Sequence, residues 1–325
     1  MDFFASDEFL TALASDFYQA KDFRFKIYSV NGHFFRLAEV DGKRPLVSGP
    51  FYDYIKPLPQ HEAAAEPVRF IPKVVTSTQT LDDLHPEASA SYTGQEPAPL
   101  VVWDRFGSWE NYEEFIHARS RNLLRHMRQR RAKLLANFAE VAYLFDDRDI
   151  QALELLCAWK CEQYGGGNET LDNVRARAML RRLFLDGHLI VSSLKVADQY
   201  VALHAGFLWH DEYLALIPAY DPAFAAYGVG KELLIRMMED SFRQGHKSFD
   251  FLQGAEPYKF DFATHSQIIE PLGNPPLTYR AKARAETATK TALVRSSPKV
   301  FYGVKKTILA TRRLRNTVVN RQVGR

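Results

Sequence analysis

The chain has 325 residues, of which 46% are hydrophobic, 13% aromatic and 25% charged, a balance that excludes bulk disorder, collagen-like repeats and membrane-span classes and suits about two domains of roughly 100–200 residues. With only 2 Cys, a disulfide scaffold is excluded as well. The net charge of +3 sums opposed parts: residues 280–325 hold 13 Lys/Arg and one acid, Glu286, whereas residues 1–279 hold 29 bases against 38 acids, so the end of the chain points toward an anionic partner.

The first residues, Met1-Asp2-Phe3-Phe4-Ala5-Ser6-Asp7-Glu8, carry acids where a secretory signal would need bases, and no apolar run approaches about 18–20 residues. The expected location is therefore cytosolic. Residues 7–20 read as a helix, with Phe9, Leu10, Leu13, Phe17 and Tyr18 at three-to-four spacing behind the cap Ser6. Residues 25–30 and 33–40 read as strands flanking Asn31-Gly32, a hairpin turn whose two central positions need positive φ. Further strands are expected over 68–78 and 99–103, separated by a Ser-, Pro-, Glu- and Gly-rich loop over 82–98.

From Trp109 the pattern turns helical, and 7 bases with no acid lie between Arg119 and Lys133. Arg121, Arg125 and Arg128 share one face at i, i+4 and i+7. That face is either a solvated one or a rim that attracts phosphates. Helices over 147–163 and 171–186 are separated by Gly165-Gly166-Gly167-Asn168. In the first of them Cys157 and Cys161 share a face without further metal ligands nearby, the pattern of inert thiols, and no metal site is expected. A β meander follows over 187–196, 200–209 and 212–220, then a loop with Gly228-x-Gly230, a helix over 231–244 ended by Gly245, and a strand over 248–252.

A strand, a glycine loop and a helix starting at Lys231 point backbone N–H groups and the positive end of a helix dipole at one spot, which suits a pyrophosphate. An ordinary loop reads the same way. The P-loop is set aside because Lys231-Glu232 stands where it needs Lys-Ser/Thr, and the dinucleotide fingerprint because Leu233 occupies its third glycine. An antiparallel meander feeding a glycine loop and a helix resembles the GNAT acyltransferase fold, whose cofactor loop reads Gln/Arg-x-x-Gly-x-Gly/Ala. Here both glycines match and Ala225 replaces the polar position.

The stretch Asp250-Phe251-Leu252-Gln253-Gly254-Ala255-Glu256-Pro257-Tyr258-Lys259 resembles the Asp-Phe-x-x-Gly-x-Glu-x-Tyr-Lys signature of the FemAB-like GNAT branch that includes the cellulose-biosynthesis CelD-type acetyltransferases. Ala219-Tyr220-Asp221-Pro222-Ala223 is similar to that branch's Gly-Tyr-Asp-Pro-Ala segment, and the basic stretch over 119–134 to its Arg-rich helix. The resemblance covers roughly residues 108–262. It implies an α/β (α+β) protein with a GNAT-like, largely antiparallel sheet flanked by helices over 108–279. A partial GNAT-like lobe is implied over 1–107, ahead of a basic helical tail over 280–325.

Acyl transfer from a thioester to an amine needs a base for the ammonium proton, donors for the developing oxyanion and an acid for the leaving thiolate. Glu256 is the expected base or amine-positioning carboxylate, Tyr258 the acid, and Lys259 the stabiliser of the tetrahedral intermediate or binder of an acidic substrate group. Asp250 is expected to hold Lys259. His204, on the middle meander strand, is an alternative base or an interior group. The competing reading of these residues is an ion pair and a core tyrosine. The resemblance further implies acetyl-CoA or another acyl-CoA as co-substrate, its pantetheine arm along Ile217, Pro218 and Ala219 and its pyrophosphate on the amides of Gly228, Val229, Gly230 and Lys231.

The implied activity is N-acylation of an amine on an amino sugar or an exopolysaccharide or envelope precursor. Two alternatives stand beside it: FemAB-type transfer from charged tRNA, and a catalytically silent module docked on a polysaccharide synthase or a membrane. The third is supported by the mostly apolar positions Val300, Val304, Ile308, Thr311, Leu314 and Val318 at helical spacing among bases, a basic amphipathic helix suited to the inner face of an anionic membrane. Nucleic acid ranks lower, without readout motifs.

Overall fold

The computed structural model describes residues 1–42, 44–59, 65–81, 96–163, 170–277 and 279–281. The glycine run at 165–167, most of the loop over 82–98 and the amphipathic helix expected over 300–318 lie outside the described residues.

A small sheet forms first. Strands β1 (Phe23–Val30) and β2 (His33–Val40) pair antiparallel about Asn31-Gly32, whose φ values of 49° and 78° are those the turn requires. β3 (Arg44–Pro45) and β4 (Glu66–Pro67) complete it in the order β3-β2-β1-β4. Ahead of it, helix α1 (Asp7–Ala12) is capped by the Ser6 hydroxyl, which accepts from Phe9 N at 3.2 Å. The helix expected over 7–20 stops short there: Leu13–Phe17 winds as a π turn, and Tyr18 leaves it to donate to Ser48 O at 2.9 Å.

The larger sheet has eight strands: β5 (Phe70–Thr80), β6 (Glu96–Val102), β7 (Val141–Leu144), β8 (Leu189–Val196), β9 (Gln199–Trp209), β10 (Glu212–Tyr220), β11 (Ser248–Asp250) and β12 (His265–Gly273). Their order is β5-β12-β6-β11-β10-β9-β8-β7, antiparallel throughout except for β10 with β11. The chain is thus mixed α/β with a mostly antiparallel sheet flanked by helices. Strands from residues 70–102 belong to the same sheet as the meander.

The helical stretch expected from Trp109 is two helices, α2 (Trp109–Arg119) and α3 (Leu123–Asn137), parted at Ser120. With α6 (Val229–Arg243) they cover one face of the sheet, and α4 (Ile150–Gln163) and α5 (Val174–Leu185) the other. The two-residue period of the strands divides the core accordingly. Leu203 and Leu214 pack with α4 and α5, while Ala202, Tyr213 and Ala215 pack with α3 and α6. The buried rings of Phe3, Phe4 and Phe9 join the first core beside Phe207. No helix among the described residues is long and apolar enough to cross a membrane.

Candidate functional site

β10 and β11 pair only from Glu212–Leu214 to Ser248–Asp250. Beyond that, β10 runs on to Tyr220 with β9 alone, through a bulge between Ala215 and Ile217 and a proline at 218. Proline is tolerated here because the neighbouring strand has left. β11 meanwhile ends and turns through Leu252 (φ 57°) and Gly254 (φ 138°) into helix α7 (Pro257–Phe262). The parted strands open a cavity of about 760 Å³.

At one margin of this cavity stands the head of α6. Gly228, at φ 65°, caps the helix and lies against Arg130: a Cβ there would meet Arg130 Cδ at 2.9 Å. Val229 and Gly230 occupy the first helical positions, whose N–H groups have no carbonyl a turn back. The four-amide cradle expected from sequence is smaller than that. Gly228 N already donates to Ala225 O at 3.1 Å, and Lys231 N to Gly228 O at 3.0 Å. Arg130 and Lys231 add positive charge at the lining, and Ile217, Pro218 and Ala219 line it from β10.

The basic face picked out in the sequence goes elsewhere. Arg121, Arg125 and Arg128 line a separate groove with His117, and Arg128 pairs with Glu113 at 2.8 Å. Arg131 and Arg236 hold buried Glu232 at 3.4 and 2.7 Å. Helix α3 therefore sends Arg130 to the cavity and uses several of its other bases structurally.

Glu256, Tyr258, Lys259 and His204 all line the cavity; Asp250 does not. Lys259 is buried, and its ammonium reaches Leu252 O at 3.3 Å, Gln253 O at 3.0 Å and Glu256 Oε2 at 3.1 Å. An ammonium has three donors, so all are engaged, and Lys259 holds the turn and the Glu256 carboxylate rather than offering a free donor to an intermediate. Glu256 itself is half-exposed at the head of α7.

Asp250 does not hold Lys259, contrary to expectation. Its carboxylate accepts from Tyr54 OH at 2.7 Å, Gln267 Nε2 at 2.9 Å and Leu252 N at 2.7 Å. Burial pushes its pKa up to about 6, against the pull of Lys56 and the hydrogen bonds. It shapes the turn that presents Lys259 and Glu256.

His204 is 5% exposed, and its Nδ1 has no hydrogen-bond partner. Burial, reinforced by the positive charges of Lys160 and Lys259, brings its pKa down to about 3, so it is neutral at physiological pH. Lys160, from α4, donates to Pro218 O at 2.9 Å. Phe51 and Asp53 also line the cavity; no motif marks them, because they come from the opposite end of the sequence. Cys157 is buried with its thiol pushed up to about 12, and Cys161 is half-buried near Arg177. Neither faces the cavity.

Several solved structures are similar to the chain. Crystalline FemX aligns over 83% of this chain and 91% of its own at 9% identity and a TM-score of 0.48. L-PGS from Bacillus licheniformis aligns over 85% and 91% at 11% identity and 0.40. The PaiA N-acetyltransferase from Thermoplasma acidophilum, in complex with coenzyme A, aligns over 33% and 75% at 12% identity and 0.27. No curated protein matches the chain. Residues 119–260, from the end of α2 to the Glu256–Lys259 pair, match the acetyltransferase (GNAT) domain family.

Proposed function

We infer that the chain is an acyl-CoA-dependent N-acyltransferase of the FemAB-like, CelD-type branch, acting on an amine of an amino sugar or an envelope or exopolysaccharide precursor. One observation carries the reading: the glycine-headed helix α6 and the Glu256–Lys259 pair open on one cavity where β10 and β11 part. The match of residues 119–260 to the GNAT domain supports it.

In this reading Val229 and Gly230 N–H, with Arg130, receive the pyrophosphate of an acyl-CoA, and β10 at 217–219 takes the pantetheine arm. Glu256 removes the proton of the acceptor ammonium, freeing the nitrogen to attack the thioester carbonyl. As the tetrahedral intermediate collapses, the C–S bond breaks, the thiolate takes a proton from Tyr258 and the nitrogen gives its second proton back to Tyr258, leaving a neutral amide and free CoA. Lys259 positions Glu256.

A thermal-shift comparison tests the donor. Millimolar acetyl-CoA should raise the melting temperature and bare tRNA should not. A shift with tRNA alone would favour aminoacyl transfer, and turnover-dead Glu256→Ala protein with full cellular function would favour a silent module. For the basic segment over 280–325 the reading is contact with an anionic membrane, each base near the surface contributing about 1 kcal/mol. Liposome sedimentation of the full chain against one ending at Tyr279 checks this, and equal sedimentation would refute it.

A further inference from the structure

One wall of the cavity comes from residues 51–53, far outside the stretch that carries the glycine turn and the Glu256–Lys259 pair. Past Phe51, whose φ is 60°, the segment is pinned against residues 73–75. Ile55 N donates to Lys73 O at 3.0 Å and Val75 N to Ile55 O at 3.0 Å, while Lys73 Nζ reaches Tyr52 O at 3.3 Å. Tyr52 and Tyr54 are buried in the core, while Phe51 and Asp53 line the cavity.

The Gln253 backbone N–H favours the ionised Asp53 carboxylate, and Lys259 holds the same turn through Gln253 O at 3.0 Å. Lys73, Lys259 and Glu256 lie within its electrostatic reach. Two carboxylates, Asp53 and Glu256, thus line one cavity with the Lys259 ammonium, which Glu256 pairs at 3.1 Å. Burial raises the Asp53 pKa in spite of the two lysines, so its ionised form gains from a further cation.

A second observation points to a ligand at the same place. His204 lines the cavity, is 5% exposed and carries a ring nitrogen without a hydrogen-bond partner. Buried polar groups are nearly always satisfied, and an orphan facing a cavity marks where a ligand's polar group belongs. Lys259 acts electrostatically on both Asp53 and His204, and the two carboxylates and the imidazole line the same cavity.

We propose that Asp53 and Glu256 form an ammonium subsite, completed by a hydrogen bond from the ligand to His204, and that the N-terminal segment thereby selects the acceptor. The class of ligand is a primary amine bound as its cation and carrying a second polar group, as in an amino alcohol or amino sugar. The proposal rests on the acyltransferase reading only for its purpose; the subsite itself is a matter of cation binding. Asp53 is a specificity residue. Glu256 takes the proton, and Asp53 holds the ammonium before it is removed.

The test uses the full chain. Glucosamine, ethanolamine and putrescine are titrated calorimetrically against their N-acetylated forms, with wild type and Asp53→Asn, and acetyl-CoA is titrated in parallel. Wild type should bind at least one free amine about tenfold more tightly than its acetylated form, and Asp53→Asn should abolish that preference, a tenfold change being one charge-assisted contact. Acetyl-CoA affinity should not change. An intact preference in Asp53→Asn, or no preference in wild type, overturns the proposal while leaving acyl-CoA binding untouched. A preference lost in Asp53→Asn without acetyl-CoA binding by either protein supports the subsite and refutes the acyltransferase reading. Should Asp53→Asn fail to fold, the His204 ring signal of wild type, assigned through His204→Gln, is followed by NMR. It should move on adding the bound amine, and a stationary signal overturns the proposal.

Discussion

Replacing Gly254 by alanine separates the geometry of the turn from the chemistry it presents. Gly254 sits at φ 138°, a region that L side chains rarely adopt, and holding a non-glycine residue in such a conformation costs about 1–3 kcal/mol. The added Cβ would collide with the Glu256 carboxylate and come within 2.9 Å of Lys259 Nζ. Both neighbours are side-chain ends, and Glu256 is half-exposed, so they yield at little steric cost and the backbone term dominates stability. Gly254→Ala should therefore fold and melt a few degrees lower, as expected for a large chain losing about 1–3 kcal/mol. The Glu256–Lys259 contact at 3.1 Å, however, cannot survive the displacement. Acyl transfer, followed as thiol release from acetyl-CoA with an amine panel, should fall at least about tenfold, the cost of about 1.4 kcal/mol in the barrier. Acetyl-CoA affinity should stay within about threefold, because the glycine turn at the head of α6 is a separate element. A variant with wild-type turnover would refute the role given to this pair.

Arg130→Ala should weaken acetyl-CoA about fivefold by calorimetry, the size of an exposed ionic contact, while Arg125→Ala, in the separate groove, should leave it unchanged; equal effects would contradict the assignment of Arg130. Asp250 has a folded pKa of about 6 against an ordinary 3.8. A raised carboxyl pKa contributes stability fully below about pH 4 that is lost as pH rises through about 6, on the order of 3 kcal/mol at most. Denaturant midpoints should thus fall between pH 4 and 7 less steeply in Asp250→Asn than in wild type, and parallel profiles would remove this account. His204→Leu removes an unpaired buried ring nitrogen, whose desolvation costs about 1–3 kcal/mol. It should melt at or above the wild-type temperature, and a loss above about 2 kcal/mol would show that the imidazole is bonded after all.

Local chemistry made much of this structure readable. The Asn31-Gly32 hairpin, the meander through 220 and the helix after Gly228 all depend on neighbours within a few residues, and the strand expected over 212–220 is β10 with the same bounds. Glu256, Tyr258, Lys259 and His204 do share a cavity, as do the glycine turn and 217–219. What escaped depends on distant pairing. β12, His265–Gly273, contains Pro271 and polar residues and is a strand because β5 and β6 flank it. β6 begins at Glu96, earlier than expected, because its prolines at 97 and 99 lack only donors: their carbonyls accept from Gly254 and Phe251. Asp53 is invisible in sequence for the same reason, and the partners of Asp250 are hidden because Lys259 is near it in the chain while Tyr54 and Gln267 are near it in space.

The Tyr54–Asp250 hydrogen bond spans 196 residues of sequence, and it bears on how this protein could be divided. A piece cut at residues 119 and 260 would keep the glycine turn and the Glu256–Lys259 pair yet strip β11 of β6, its antiparallel neighbour. Asp250 would lose both Tyr54 and Gln267 and keep one backbone donor, and β11 would become an unpaired edge on that side. The stretch that looks like a portable module leans on strands outside it, and chimeras that exchange acceptor preference should be spliced so that residues 51–55, β5, β6 and β12 travel with it.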